Sequence, residues 1–560
     1  MTEVKNEISF RISGQNGDGI FSSGEVFSKI CSRSGLHVHG YRSYQSVIRG
    51  GHVNYSVRAA NWDVSAPADY IDVLIALRPD SFVVDAPMMS KTGIILYDSK
   101  GFRIKPDQVK APEGVKIVDM PAVELASKFS KLKIVANTVF MGAVVALFDL
   151  EMAIFEKMLA DNFASKGQEV IDMNVESARA GYNWAKENLE PIKHNVKIDP
   201  NAKPKMFIGG NEALAFGMLI GGLQFYAWYP MTPASPIGHF LAKYGETSGV
   251  VVKQMEDEIN VSNSVVGAAV TGARSACATS GGGFSLMTEA VGYASMVEAP
   301  VVYIEVARGG PSTGLPTKQE QGDLRQLIGA SQGDFPRAII AQTSVEDGIK
   351  LGQEALNIAE KYQMPVIIAS DLYMGEHFET IPEPELDAIP IDRGKLILGE
   401  VPEDQRPYKR YLVTEDGISP RTIPGVKYGQ YDAGSDEHDE FGKLISDVRA
   451  GYPDSIKIRI DQMNKRMRKM ETLLKELPPP EVEGYKPGEA DVLLVTWGSL
   501  LDIVRESRKQ LEERYGKKTA HLNIKYILPF HSKEVKEILE SYQNSGARII
   551  LVENNYTGQM

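Results

Sequence analysis

At 560 residues the chain has room for roughly three or four domains, and its 43% hydrophobic and 24% charged content is that of an ordinary soluble globular protein. A net charge of −12 argues against the basic face that nucleic acid requires, and two cysteines, Cys31 and Cys277, are too few to ligate an iron–sulfur cluster. Scarce thiols and a start, Thr2-Glu3-Val4-Lys5, with no apolar signal core predict a cytoplasmic protein without a membrane segment.

In chain order, Glu7 to Gly14 alternates like a strand and runs into Gly14-x-x-Gly17-x-Gly19, followed by a helical stretch from Ser22 to Ser34. That order can present backbone N–H groups to a phosphate; a purely structural turn is the alternative, since the Rossmann glycine spacing is not met. Ile48-Arg49-Gly50-Gly51-His52 suits a tight turn that holds a cation, or a hairpin glycine pair beside a surface arginine. Asp72 to Leu77 and Thr92 to Tyr97 read as buried parallel strands. Helices are predicted over Val139 to Ala160 and Glu169 to Leu189. A first α/β domain over 1–195 and a polar, proline-marked linker over 196–205 follow from this pattern.

A second domain, 206–400, opens with a helix from Gly210 to Gly222 and a strand from Gln224 to Trp228. Strands then recur at Val250–Met255, Ser275–Ser280, Val301–Val306, Ile339–Ala341 and Pro365–Ser370, separated by helical stretches, which predicts a parallel doubly wound sheet. Residues 401–486 read as an irregular connecting segment ending in a basic helix, Lys457 to Leu477, and Pro478-Pro479-Pro480. The acidic stretch around His438 reads as a solvated loop, with metal binding as the alternative. A last βαβ domain, 487–560, starts at Asp491-Val492-Leu493-Leu494-Val495.

Three islands between Gln224 and Arg325 concentrate the chemistry. Tyr229-Pro230-Met231-Thr232-Pro233, Met255-Glu256-Asp257-Glu258 and Arg308-Gly309-Gly310-Pro311-Ser312-Thr313-Gly314-Leu315-Pro316-Thr317 each follow an apolar run, where an α/β sheet keeps its ligands. Taken by residue type alone, either carboxylate could be a helix N-terminal acid stabilised by the dipole, and Arg308 an ion-pairing surface arginine.

These islands, with Thr279-Ser280-Gly281-Gly282-Gly283, Ile48-Arg49-Gly50-Gly51, Trp497-Gly498-Ser499 and Val552-Glu553-Asn554-Asn555-Tyr556-Thr557-Gly558-Gln559, resemble the alpha subunit of 2-oxoacid:ferredoxin oxidoreductases with a gamma domain fused at the N-terminus. The resemblance covers nearly the whole chain and is greatest to 2-oxoglutarate enzymes. It implies a multidomain α/β protein: a Rossmann-like gamma domain, a pyrimidine-type thiamine-diphosphate-binding fold and a transketolase C-terminal-like domain. It implies reversible, CoA-dependent oxidative decarboxylation of 2-oxoglutarate to succinyl-CoA and CO2 with reduction of ferredoxin. Pyruvate or branched-chain and broad 2-oxoacid enzymes share the pattern, and a non-catalytic electron-transfer scaffold is the alternative of another class. A separate beta subunit is implied to hold Mg2+ and a [4Fe–4S] cluster and to complete an (αβ)2 heterotetramer.

Residue by residue, the resemblance matches Glu258 to the acid that hydrogen-bonds the aminopyrimidine of thiamine diphosphate, with Glu256 as its competitor. Arg308 and Thr232 match the groups that hold the substrate carboxylate and carbonyl, and Thr317 a position at the substrate's variable end. Ser312 and Thr313 are further substrate candidates, and Arg49 a CoA contact. A second substrate carboxylate would need another cation, for which His52, Arg42 or the beta subunit are candidates.

Overall fold

The computed structural model describes residues 6–47, 50–199, 201–445 and 453–560. The chain divides into two compact units: Met1–Gly209 with Glu376–Glu383, and Gly210–Gly375 with Pro384–Met560.

The first unit is built on an eight-stranded sheet. Its order is Lys116–Asp119, Met89–Tyr97, Ile71–Ala76, Glu7–Asn16, Gly50–Ala60, His37–Ser43, His377–Ile381 and Met206–Gly209. The first four strands run parallel and the remaining pairings are antiparallel. The predicted helix over Val139 to Ala160 is two helices, Ala136–Leu147 and Met152–Phe163. Asp149 sits at φ 49° between them. Its neighbours Phe148 and Leu150 are both buried, so apolar periodicity carries across the break and hides it. The helix Gln168–Asn188 packs on Ala136–Leu147 backbone to backbone: a Cβ at Gly181 would stand 1.8 Å from the Val139 carbonyl oxygen. The strand His377–Ile381 falls within the predicted second domain, where no strand was expected, and belongs instead to the first unit. It is a short piece whose pairing partners, His37–Ser43 and Met206–Gly209, lie far away in sequence, so only the tertiary fold reveals it.

The second unit holds a seven-stranded sheet in the order Tyr526–Leu528, Ala338–Ala341, Val366–Asp371, Val301–Ala307, Ser275–Thr279, Phe225–Trp228 and Val251–Gln254. Six strands are parallel, as the strand–helix alternation predicts; the edge strand Tyr526–Leu528 is antiparallel and comes from the last βαβ segment. Strand alternation divides the side chains between two cores. Ala227, Cys277, Tyr303 and Ile367 enter one, while Tyr226, Ala276, Ile304 and Ile368 enter the other. A four-stranded sheet, Val482–Gly484, Thr519–Ile524, Val492–Trp497 and Arg548–Leu551, completes this unit.

The basic helix of the connecting segment, Pro453–Glu476, leaves Lys457 and Lys475 exposed but turns two other lysines into the fold. Lys465 and Lys469, one turn apart, are fully buried and both donate to the buried Glu298 carboxylate, Lys469 at 2.6 Å. Arg410 Nη2 donates to the Glu298 carbonyl at 2.9 Å. Burial alone would raise the Glu298 carboxyl, but the two ammonium groups hold it well below the usual carboxylate range. Burial in turn pulls Lys465 down to about 7 and Lys469 to about 8. Glu298→Ala leaves these cations buried without their anion and is expected to cost about 3–5 kcal/mol, measured as a fall in the urea midpoint; an unchanged midpoint would contradict the arrangement. The stretch around His438 is solvated only in part: Gly434 to Asp436 are exposed, while Glu437 and His438 pack into the fold. His438 is buried with Nδ1 2.9 Å from the Asp436 carbonyl, and Arg466 grips Glu437 through both oxygens. Among the described residues no group of three or more His, Cys, Asp and Glu side chains could hold a metal ion. No described helix is long and apolar enough to cross a membrane.

Candidate active site

Four adjacent strands of the second unit's sheet deliver the sequence islands to one edge. Val251–Gln254, Phe225–Trp228, Ser275–Thr279 and Val301–Ala307 are consecutive and parallel. Their carboxyl ends therefore emerge side by side, where open α/β sheets bind ligands. From left to right these ends continue into Met255–Glu258, Tyr229–Pro233, Ser280–Gly283 and Arg308–Thr317.

At the first end, Asp257 caps the helix Glu258–Val270, its carboxylate accepting from Asn260 N at 2.8 Å. Capping thus falls to Asp257. Glu256 is exposed, whereas Glu258, two residues further on, is 4% exposed. Oε1 of Glu258 is buried and has no hydrogen-bond partner among the described residues. Burial of an unsatisfied carboxylate oxygen is costly unless a ligand completes it. Beside it the chain passes too close for any side chain: a Cβ at Gly283 would lie 2.7 Å from Glu258 Oε1 and 2.0 Å from Thr279 Oγ1, while at Gly282 no described atom lies within 4 Å. A donor ring would complete Glu258 Oε1, so the residues present fit the aminopyrimidine of thiamine diphosphate. Gly283→Ala is expected to push Glu258 and Thr279 aside and to lower turnover by about 10²-fold through misplacement of the acid; turnover equal to the parent would contradict the close packing of this turn on Glu258.

The second and fourth ends meet. The half-buried Arg308 donates from Nη1 to the Thr232 carbonyl at 2.6 Å. The Thr232–Pro233 bond is cis, and Asn211 Nδ2 donates to the Pro233 carbonyl at 2.8 Å, fixing the turn from behind. The link runs through the Thr232 carbonyl, so its hydroxyl is not spent on Arg308. The loop after Arg308 closes on itself: Gly309 N donates to the Lys318 carbonyl at 2.9 Å and Leu315 N to the Gly309 carbonyl at 2.7 Å. Thr317 is half-buried at its root, while Ser312 and Thr313 are exposed at its tip, with Ser312 at φ 56°. The six second-unit candidates thus fall on one sheet edge, with Arg308 and Thr232 in contact. His52 and Arg42 lie in the first unit with partners of their own, Asp85 at 3.0 Å and Glu25. Arg49 lies outside the described residues.

Sequence reading missed the groups behind this edge. Glu305 interrupts an otherwise apolar strand and is 1% exposed. Burial, and then the facing Asp323, push its carboxyl well above the ordinary range; burial also raises Asp323 and Asp371. Asp371 accepts from Gln321 Nε2 at 2.9 Å and from Ser499. A single acid within the run Val301-Val302-Tyr303-Ile304-Glu305-Val306 is the signal that could have found them.

Fold and site together define a class, a multidomain α/β protein whose parallel sheet gathers a buried acid, a glycine turn and an arginine at the carboxyl ends of adjacent strands. Residues 217–451 match the family described as pyruvate flavodoxin/ferredoxin oxidoreductase, thiamine diphosphate-binding, and residues 9–184 match pyruvate ferredoxin/flavodoxin oxidoreductase. The 2-oxoacid:ferredoxin oxidoreductase subunit alpha of Saccharolobus solfataricus is 31% identical over 99% of this chain and 92% of its own. The 2-oxoglutarate oxidoreductase subunit KorA of Mycobacterium tuberculosis is 28% identical over 96% of this chain and 84% of its own. A solved 2-oxoglutarate:ferredoxin oxidoreductase from Magnetococcus marinus, with 2-oxoglutarate, coenzyme A and succinyl-CoA bound, is 34% identical with a TM-score of 0.88, covering 99% of this chain and 93% of that one. The chain belongs to the 2-oxoacid:ferredoxin oxidoreductase alpha-subunit family.

Proposed function

We propose that the chain forms half of an active site that converts 2-oxoglutarate, CoA and two oxidised ferredoxins to succinyl-CoA, CO2, a proton and two reduced ferredoxins. The observation that carries this reading is Glu258, buried with an oxygen lacking a partner beside the glycine turn, on the same sheet edge as Arg308. Thiamine diphosphate, when bound, supplies the electron sink for decarboxylating a 2-oxoacid. Glu258 would hold a proton against the cofactor's aminopyrimidine nitrogen. Arg308 would orient the substrate carboxylate, its planar fork suiting a planar anion. The Thr232 hydroxyl would donate to the same end of the substrate. Thr317 would meet the variable end, with Ser312 and Thr313 reaching in from the exposed tip. CoA would be the acyl acceptor.

A partner supplies the rest. Cys31 and Cys277 are two thiols, both buried, where a [4Fe–4S] cluster takes four, which supports placing the proposed cluster on a beta subunit; Mg2+ is proposed on the same subunit, in an (αβ)2 assembly. Exposed apolar side chains on the segments that carry the candidates support such a partner: Ile259 beside Glu258, Leu286 on the helix after the glycine turn, and Leu315 in the Arg308 loop are 51%, 52% and 59% exposed. The choice of 2-oxoglutarate is supported by the names of the Mycobacterium and Magnetococcus relatives. The test is viologen reduction by the chain co-purified with its partner, dependent on thiamine diphosphate and CoA, across 2-oxoglutarate, pyruvate and 2-oxoisovalerate. Highest kcat/KM with 2-oxoglutarate is expected. A preference for either of the others overturns the substrate, and no reduction with any overturns the function.

A further inference from the structure

We propose that Glu305 and Asp323 share one proton and, as a joined pair, position the segment that runs from the Arg308 loop to the glycine turn. The choice of assay rests on the function proposed above; the pair itself does not. Glu305 is on the strand Val301–Ala307, three residues before Arg308, and its register partners are Thr279 and Ala369. Alternation points it into the core of Tyr303 and Cys277, where an apolar residue would be ordinary. Glu305 pairs with Thr279 across the sheet and the Asp323 carboxylate lies against Gly281, two residues beyond Thr279, so the two acids approach one another there. No donor reaches Oε1 of Glu305 among the described residues, and the neighbouring Ser280 Oγ is likewise buried without a partner. A hydrogen bond between two carboxyl groups requires that one of them carry the hydrogen. Two ionised carboxylates facing each other out of water would repel with no donor to offset the charge.

The other charged groups around the pair identify which oxygen keeps the proton. Asp371, the third acid acting on Glu305, accepts from Gln321 Nε2, Ser499 Oγ and Met374 N, which suits a carboxylate. Asp323 feels the Arg308 guanidinium, which favours its anion, and Glu320, which opposes it. Glu305 faces only Asp323 and Asp371 among these and is the group left neutral, its hydroxyl donating to Asp323. Asp323 in turn lies over the turn: its Oδ2 is 2.3 Å from where a Cβ at Gly281 would stand, and Glu258 lies against Gly283 of the same turn. On its other side the segment is tied down by the tail, through Gln321 N to the Asn554 carbonyl at 2.7 Å and Gln559 Nε2 to the Gly322 carbonyl at 2.7 Å. Loss of the shared proton would push Asp323 away and leave the segment held from one side only. Glu305 and Asp323 are therefore positioning residues, acting on Arg308 and the turn against Glu258 through the backbone between them.

The test joins a spectroscopic readout to a pH profile. Infrared difference spectra of the full chain, with glutamate carboxyls isotope-labelled, are expected to show a protonated-carboxyl band at neutral pH that is absent from Glu305→Gln. In the assembled enzyme, turnover is expected to fall at alkaline pH as the pair ionises. That limb should vanish or move upward in Glu305→Gln, whose amide still donates to Asp323. At neutral pH Glu305→Gln should keep most of the parent turnover and Glu305→Ala lose about tenfold or more. If Glu305→Ala does not fold, the band and the Glu305→Gln profile still decide. Absence of the band in the parent chain, or an alkaline limb identical in parent and Glu305→Gln, overturns the pair. Failure to turn over any 2-oxoacid would remove the functional reading while the band continued to decide the shared proton.

Discussion

Glu258→Gln in the assembled enzyme is expected to lower kcat by about 10²–10⁴-fold, the usual span for a positioned acid–base group. The Michaelis constant for the 2-oxoacid should change little, because Glu258 faces the proposed cofactor rather than the substrate. Glutamine is isosteric and can still offer an oxygen, so Asp257 should go on capping the helix and the chain should stay folded. What glutamine cannot do is give up and regain a proton. Glu256→Gln, at the exposed position two residues earlier, serves as the comparison and should remain near the parent rate. Steady-state kinetics on the pair of variants measure both outcomes. Equal losses at 256 and 258, or no loss at 258, would contradict the role assigned to the buried acid.

Arg308→Ala should act on the substrate instead. A bidentate charge-assisted contact carries about 1.5–3 kcal/mol per hydrogen bond, so kcat/KM for the 2-oxoacid should fall by roughly 10²-fold or more. The same change removes the donor to the Thr232 carbonyl, loosening the turn that Asn211 holds from the other side. Arg308→Lys keeps the charge but not the fork and should recover only part of the loss. The readout is kcat/KM measured with the 2-oxoacid varied and then with CoA varied. A defect confined to CoA would move Arg308 out of the substrate site.

Much of this was legible in the sequence, for physical reasons that differ by element. Most of the six parallel strands of the second unit are apolar runs of ordinary length separated by helical stretches, and their order of appearance was enough to expect a doubly wound sheet. The islands were visible because turns rich in Pro, Gly and hydroxyls stand out against such runs. What separates Glu258 from Glu256 is burial, which depends on where Asp257 starts the helix, and spacing alone cannot fix that to one residue. His377–Ile381 and Tyr526–Leu528 went unread because each is short and finds its partners only across the fold. The burial of Lys465 and Lys469 in the basic helix was not legible because the anion they meet, Glu298, lies more than 160 residues away, 167 from Lys465. Glu305 was hidden for the opposite reason: one acid in an apolar strand reads as noise until Asp323 is seen against it.

The proposed half-site is tested most directly by separating and recombining the chains. Each subunit is purified alone and assayed with thiamine diphosphate, Mg2+, CoA, 2-oxoglutarate and viologen, and the two are then mixed in increasing ratio. A shared site predicts no reduction by either chain alone and activity that rises with the limiting subunit to a stoichiometric plateau. Reduction by the isolated beta subunit at the rate of the mixture would contradict it, because Glu258 and Arg308 would then have no part in the chemistry.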